Sequence, residues 1–223
     1  MEFKDNRSKR VVFLGNCIIN QNARFPGIAV KEGPFVEFAE ILMKNGIGIE
    51  QMPCLECLGW GGVSRKTYYQ FQPMILRFID TKIFPFLKVF YHIWLLSFSW
   101  LCHREAVRVA QRIEDYTNSG YQVLGIVASN DSPTCGISRT MGMIDAFKKF
   151  KILVFSIEDL ENPNFNQMQH IIPALCTDGT GLFMKPLKSQ LQKRDLKIKM
   201  IGFEPWAESI RDEAHRVSKL LDI

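Results

Sequence analysis

Five short apolar segments have the length and the boundaries of β-strands. Near-continuous apolar runs are typical of strands that are buried on both faces of a parallel sheet, whereas alternation indicates one exposed face. The last segment alternates, which favours a position at the sheet edge. Glycine, asparagine or proline closes most of these runs. The predicted strands cover residues 11–15, 47–52, 121–128, 151–157 and 197–203.

Apolar residues that recur every three or four positions predict helices between these strands. Breaks are expected at Gln72-Pro73 and at Pro85, since proline interrupts a helix. A strand, a helix and a second strand of these lengths favour parallel pairing through a right-handed crossover. We therefore predict an α/β fold, an open and mostly parallel sheet of about five strands flanked by helices, in a single domain over residues 1–223. The helical patterns cover residues 34–44, 66–116, 181–193 and 206–221.

One stretch departs from the amphipathic pattern, because residues 83–101 are apolar almost all round. Its length suits a membrane span, but it contains Pro85, Lys88 and His92, and a span here would separate strands of one sheet. We therefore expect no stable membrane span and predict an apolar helical insertion over about residues 64–104, buried or forming a homodimer interface. A lid that lies on a membrane surface is the alternative.

Composition and charge indicate a globular protein with one core and no nucleic-acid partner. The 223 residues are enough for one sizeable core, and the net charge of +5 is mild. A basic run over residues 185–199 is typical of a solvated face, so no nucleic-acid partner is expected. The charged N-terminus lacks the apolar core of a secretory signal, which favours a reducing, cytoplasmic location. In such a compartment the six cysteines are expected to include metal or catalytic ligands and not a disulfide framework.

Three of the predicted strands end in a cysteine, namely Cys17, Cys54 and Cys135. The carboxyl ends of parallel strands share one edge of the sheet, which is where open α/β sheets bind ligands. Three thiolates on short loops around one point suit a soft metal centre or an iron–sulfur cluster. Burial as small apolar side chains is the plain alternative.

The other three cysteines have less defined roles. Cys102 lies in the apolar helix and is expected to pack in the core. Cys57 and Cys176 are each either a fourth metal ligand or a bystander. The Cys54–Cys57 spacing alone hints at zinc, but no second pair of ligands completes a zinc motif.

Taken in order, these motifs resemble the thiouracil desulfurase (TudS)-related desulfidase family. Its first element is a Cys followed seven residues later by Arg, here Cys17 and Arg24. Its second is Cys-Pro-Glu, here Cys54-Leu-Glu56 with the proline displaced to position 53. Its third is Ser-Pro-Ser-Cys-Gly, here residues 132–136 with Thr134 replacing serine. Gly-Thr-Gly-Leu-Phe at 179–183 also resembles the longer members, and the match is weak only over about residues 62–104.

The resemblance implies a [4Fe-4S] cluster held by three thiolates, those of Cys17, Cys54 and Cys135, with the fourth iron open to substrate. It further implies redox-neutral hydrolysis of a small thiolated heterocycle similar to thiouracil, with release of sulfide. Glu56 would act as general base on water and Ser132 would orient water or substrate. Arg24 and Asn16 would contact the substrate or the cluster.

A second function fits the same motifs. If Cys57 or Cys176 supplied a fourth thiolate, the chain would be a non-catalytic iron–sulfur or metal-binding module, or a redox sensor. Leu55 and Thr134 depart from the family pattern beside two of the ligands, which leaves the identity of the substrate open.

Overall fold

A computed structural model describes residues 5–78, 81–143, 149 and 164–223. The secondary structure of these residues consists of six strands, eight α-helices and one 3-10 turn at Gln21–Ala23. The strands are β1 (Arg10–Leu14), β2 (Gly48–Gln51), β3 (Gln122–Ser129), β4 (Arg139–Met141), β5 (Cys176–Asp178) and β6 (Met200–Phe203). The helices are α1 (Asn16–Ile19), α2 (Val36–Lys44), α3 (Leu55–Gly59), α4 (Lys66–Phe78), α5 (Phe84–Asn118), α6 (Phe165–Leu175), α7 (Met184–Lys193) and α8 (Ile210–Leu220).

The main sheet has the strand order β2-β1-β3-β6, and every neighbouring pair in it is parallel. The α/β prediction is therefore confirmed, and four of the five predicted strands form this sheet. The predicted strand at 151–157 lies outside the described residues. Strand β6 is outermost in the described sheet and alternates in burial, as the sequence pattern indicates. A separate antiparallel pair, β4 with β5, was not predicted.

Both faces of the sheet are covered, because successive side chains of a strand point to opposite sides. In β1, Val11 and Phe13 pack in a core with α5 and α7, whereas Val12 and Leu14 pack in a second core with α2 and α8. This double coverage explains why the strands are apolar at nearly every position.

The helical region contains one correction. Helix α4 continues through Pro73, so the break predicted at Gln72-Pro73 is wrong. An internal proline removes one hydrogen bond and can bend a helix without ending it. The second predicted break is present, since α5 begins after Ile83 with Pro85 in its first turn, where no intrahelical partner is lost.

Helix α5 is 35 residues long, and its two halves differ in burial. From Cys102 to Ile113 it packs against the sheet, whereas large apolar side chains between Phe86 and Trp100 are exposed. Length and composition alone would allow this helix to cross a membrane, and little of its apolar window is buried. A single helix of this kind is weak evidence for a span.

Candidate active site

A cavity opens at the carboxyl ends of β1, β2 and β3. Its empty volume is about 1050 Å³, including the space that is open to solvent. The strand positions of the three cysteines bring all of them to this cavity. The residues predicted for the site that line it are Asn16, Cys17, Arg24, Cys54, Glu56, Ser132 and Cys135.

Cys17 lies on α1, directly after β1. The amide of Gly15 donates to the Val127 carbonyl (2.8 Å), which fixes the start of this turn against β3. The buried Gln21 side chain donates to the Cys17 carbonyl and accepts from the amide of Val30 (3.1 Å). The Cys17 backbone is thus tied both to the sheet and to the loop that follows.

Cys135 lies in a tight turn after β3, and Ser132 organises the inner side of that turn. The Ser132 hydroxyl accepts from the amides of Thr134 (3.2 Å) and Cys135 (3.0 Å). It also lies 2.9 Å from Glu56 Oε1, to which it donates. One hydroxyl therefore fixes the turn that carries a thiol and joins it to the carboxylate.

The outer side of the same turn is held by the segment before α7. The amides of Gly181, Leu182 and Phe183 donate to the carbonyls of Gly136 (2.8 Å), Pro133 (3.0 Å) and Thr134 (3.0 Å). A Cβ atom at Gly181 would lie 2.3 Å from the Thr134 carbonyl oxygen, so this close approach requires glycine. The Gly-Thr-Gly-Leu-Phe segment is thus a backbone support for the Cys135 turn.

Cys54 caps α3 at the end of β2, and the fully buried Arg65 holds this region. Its guanidinium donates to the carbonyls of Ala23 (2.7 Å) and Gly62 (2.8 Å) and to Cys57 Sγ (2.9 Å), and it lies 3.6 Å from Cys54 Sγ. Arg65 has a left-handed backbone with φ of 55°, which is unfavourable for a residue with a Cβ. The side-chain bonds therefore stabilise a strained position.

Glu56, in the first turn of α3, is buried against the cavity. It accepts from Ser132 and from Thr134 Oγ1 (3.2 Å), and its other oxygen lies 3.9 Å from Arg65. Burial raises the pKa of this carboxyl, while Arg65 and the Ser132 hydroxyl partly oppose the effect. The carboxylate is thus placed in the cavity and oriented by two hydroxyl groups.

Arg24 forms a buried ion pair with Asp131, a residue that the sequence analysis did not select. Asp131 also accepts from Ser129 Oγ and from Trp206 Nε1 (2.8 Å). The Arg24 guanidinium carbon lies 5.3 Å from the centre of the Trp206 ring. The Trp206 ring and the Asp131 carboxylate together hold the guanidinium in one orientation.

Three polar atoms of the residues that line the cavity have no hydrogen-bond partner among the described residues. They are Nη1 of Arg24 and Nε1 of Trp60, both donors, and Oδ1 of Asn16, an acceptor. Buried polar atoms without partners are uncommon and are often completed by a ligand or by water. The residues that line the cavity therefore hold two donors and one acceptor that a bound molecule could satisfy.

The remaining wall of the cavity is apolar and aromatic. Trp60 and Tyr68 stack with ring centres 4.9 Å apart, and Phe25 meets Tyr68 edge-on at 5.3 Å. An apolar wall with a few polar groups at one end is the usual form of a small-molecule site. The larger aliphatic residues of the wall are Ile28, Met141, Met143, Met168, Ile172 and Leu175.

Burial dominates the acidity of the thiols. It raises the pKa of Cys17 to about 11, and it raises the pKa of Cys54 and Cys135 further. Arg24 opposes this effect at Cys17 and Arg65 opposes it at Cys54, without reversing it. Metal ligation requires thiolates, so binding of a metal by these thiols would release protons.

The described residues contain no group of three or more His, Cys, Asp or Glu side chains that could together hold a metal ion. Each thiolate of a [4Fe-4S] cluster binds a different iron, so its sulfurs need not converge on one point. The donor set of the cavity, three thiols with no imidazole on the lining, fits such a cluster in chemistry.

The other cysteines lie off the cavity lining. Cys102 is buried in the core, as predicted. Cys176, the first residue of β5, donates its thiol to the carbonyl of Ile172 in α6 (3.2 Å). Cys57 lies beside Cys54, since both thiols approach the Ala23 carbonyl at 3.7 and 3.8 Å.

Several site residues were missed by sequence reasoning. Asp131 directly precedes Ser132 in the segment that also carries Cys135, so its position after β3 could have predicted that it belongs to the site. Arg65 and Trp206 have no local signal, because tertiary packing alone brings them to the site.

No protein-family profile matches the chain. The chain is similar to uncharacterized protein MJ0003 of Methanocaldococcus jannaschii, with 27% identity over 161 residues that cover 70% of this chain and 88% of that protein. No solved structure matches.

Proposed function

We propose that this protein is an iron–sulfur-dependent desulfidase that hydrolyses a small thiolated heterocycle and releases sulfide. The observation that carries the proposal is the meeting of three strand-end thiols and a buried carboxylate in one cavity. The resemblance of the same motifs to thiouracil desulfurases supports it. The net reaction converts a thiocarbonyl and water to a carbonyl and hydrogen sulfide, with no change of oxidation state.

Cys17, Cys54 and Cys135 would hold a [4Fe-4S] cluster. When bound, that cluster would supply a Lewis-acidic iron without a protein ligand, which polarises a carbon–sulfur double bond. The protein's own contribution is to exclude most water, to orient the substrate and to move protons.

Glu56 is the candidate general base. Its Oε1 is fixed by the hydroxyls of Ser132 and Thr134, and its Oε2 has no partner closer than the 3.9 Å approach of Arg65 among the described residues. A water that donated to this second oxygen would be held for attack on the thiocarbonyl carbon. Ser132 is better suited to hold Glu56 and the Cys135 turn than to transfer a proton, because its hydroxyl already makes these contacts.

Arg24 and Asn16 are the candidate recognition residues. Their unpartnered donor and acceptor match the carbonyl and the N–H group that neighbour the thiocarbonyl in a thiolated pyrimidine. The stacked ring of Tyr68 offers an apolar surface to the flat ring of such a substrate.

The first experiment measures iron and acid-labile sulfide per chain, with EPR, on protein purified without oxygen. We expect about four irons per chain in the wild type. Cys17→Ser, Cys54→Ser and Cys135→Ser should each lose iron, whereas Cys176→Ser, whose thiol lies off the cavity lining, should retain it. Loss of iron in none of the three variants would refute the ligand assignment.

Activity is then tested as sulfide released from 2-thiouracil and related thiolated bases. Glu56→Gln should keep its iron and lose at least about a hundredfold in rate, the usual effect of removing a general base. A Glu56→Gln variant with full activity would refute the catalytic role and leave the cluster assignment intact.

A non-catalytic metal or redox-sensing module is the second candidate. The nearness of the Cys57 and Cys54 thiols to one carbonyl favours it, since a modest movement of α3 would offer Cys57 as a fourth ligand. Iron content that falls in Cys57→Ser as strongly as in Cys54→Ser would select this function.

A further inference from the structure

The exposed side of α5 carries a continuous apolar stripe. Along the helix, the stripe lies opposite the side that packs on the protein through Trp94, Phe98 and Cys102. Its spacing of three or four residues keeps it on one side over about 21 Å. The stripe consists of Phe86, Val89, Phe90, Ile93, Leu96 and Trp100, each more than half exposed.

This stripe is part of a larger concentration of exposed apolar side chains. Of the fourteen large apolar residues that are exposed among the described residues, ten lie between Leu58 and Trp100. Scattered exposed apolar residues are ordinary, whereas a contiguous patch of this kind marks an interaction surface. The stripe is therefore the surface of the described residues best suited to bind a partner.

The charge of the same segment indicates the chemistry of that partner. Residues 57–104 contain six Lys or Arg and a single Asp. Arg65 is buried in the cysteine site beside Glu56, and Arg104 pairs with Glu105 (3.1 Å), so neither adds free charge to the surface. The other four basic residues, Lys66, Arg77, Lys82 and Lys88, set against Asp80, leave a net charge of +3. Lys82 and Lys88 are exposed at the end and side of the stripe.

A second copy of the chain does not suit this surface. Two copies would bring two segments of the same positive charge together, and the described residues between Lys66 and Arg104 include no acidic side chain to offset it. Anionic lipid headgroups supply the missing negative charge, and the acyl boundary accepts Phe, Leu and Trp side chains.

We propose that the exposed side of α5 docks the protein on the surface of an anionic phospholipid bilayer, with the helix lying in the plane of the interface. This proposal does not depend on the desulfidase function. The opposite side of α5 packs on Trp60 (Phe98 ring 5.6 Å away), a residue of the cavity wall, so docking places that wall next to the bilayer.

The test is flotation of the full-length protein with vesicles of phosphatidylcholine, with and without phosphatidylglycerol, at low and high salt. We expect flotation with the anionic vesicles that weakens in high salt. Ile93→Glu should lower the bound fraction by about tenfold, because it places a charge in the apolar stripe. Lys82→Gln combined with Lys88→Gln should reduce binding to the anionic vesicles.

Met43→Glu is the matched control, since Met43 on α2 is 62% exposed and Ile93 is 59% exposed. Both variants should unfold at the wild-type temperature, and only Ile93→Glu should lose flotation. Failure of the wild type to float, or equal flotation of both variants, would overturn the proposal. A dimer that Ile93→Glu dissociates without vesicles would identify a second copy as the partner, and resistance to alkaline carbonate would indicate a span; either result also overturns it.

Discussion

Two loops that carry cysteines to the same cavity are held by different kinds of interaction. The Cys135 turn is fixed by neutral groups, namely the Ser132 hydroxyl and three backbone amides from residues 181–183. The Cys54 region is fixed by a buried charge, the Arg65 guanidinium. Neutral bonds fix geometry alone, whereas a buried cation also favours negative charge nearby.

The difference suggests different tasks for the two loops. The sole carboxylate near Arg65 among the described side chains is Glu56, at 3.9 Å, so its charge is incompletely compensated. Thiolates or a negatively charged cluster beside Cys54 would complete that compensation. The Cys135 turn contributes a rigid position, and the four predictions below test this contrast from the largest expected effect to the smallest.

Replacing Arg65 should have the largest effect. Arg65→Met leaves the Ala23 and Gly62 carbonyls without their donor and should lower the free energy of unfolding by about 4 kcal/mol, the usual cost of removing one partner from a buried charged network. Urea denaturation measures it. Arg65→Lys keeps the positive charge but loses the planar guanidinium, so its free energy of unfolding should lie between those of the wild type and Arg65→Met. If Arg65→Met were as stable as the wild type, the buried charge would not be what holds the Cys54 region.

Gly136→Ala should cost about 3 kcal/mol of unfolding free energy, because its Cβ would lie 2.1 Å from the Arg139 carbonyl oxygen. Gly33→Ala is the control, since a Cβ there meets nothing within 4 Å and should change stability by less than about 0.5 kcal/mol. Equal stability of the two variants would mean that the Cys135 turn is not rigid.

Ser132→Ala removes a hydroxyl that bonds Glu56 and two backbone amides, and should cost about 2 kcal/mol. Ser64→Ala, at an exposed hydroxyl 3.5 Å from the Gly61 carbonyl, should cost little. Thermal unfolding compares the two variants. A Ser132→Ala variant as stable as Ser64→Ala would show that the backbone amides alone hold the turn.

Trp206→Phe should have the smallest effect, about 1 kcal/mol, because it removes the bond to Asp131 and keeps a ring near Arg24. The Arg24–Asp131 pair is already compensated in charge, unlike Arg65, so the pair itself should persist. Chemical denaturation measures the free energy of unfolding of Trp206→Phe and of Trp206→Ala. The difference between the two variants gives the contribution of the ring, and the loss in Trp206→Phe gives that of the hydrogen bond to Asp131. A loss as large as that of Arg65→Met would contradict this distinction.

The strands and helices with a repeating pattern of apolar residues could be predicted from the sequence alone. Residues 11–14 and 122–128 are apolar at most positions, because both faces of a parallel strand are covered, and this property is visible without neighbours. Strands β4 and β5 are only three residues each and lack such a pattern, so they were missed. The helix break predicted at Pro73 is wrong, because the rule that proline ends a helix considers one residue, whereas the other residues of α4 favour a continuous helix.

For the site, the sequence by itself determined which loops follow parallel strands, and hence that Cys17, Cys54 and Cys135 belong to one edge of the sheet. Only the tertiary structure decided which distant groups complete the cavity. Arg65 reaches Cys54 from beyond α3, and Asp131 meets Arg24 across 107 positions of the chain. Strand periodicity is a local property of the chain, whereas a buried charge finds its partner through packing, which no local pattern records.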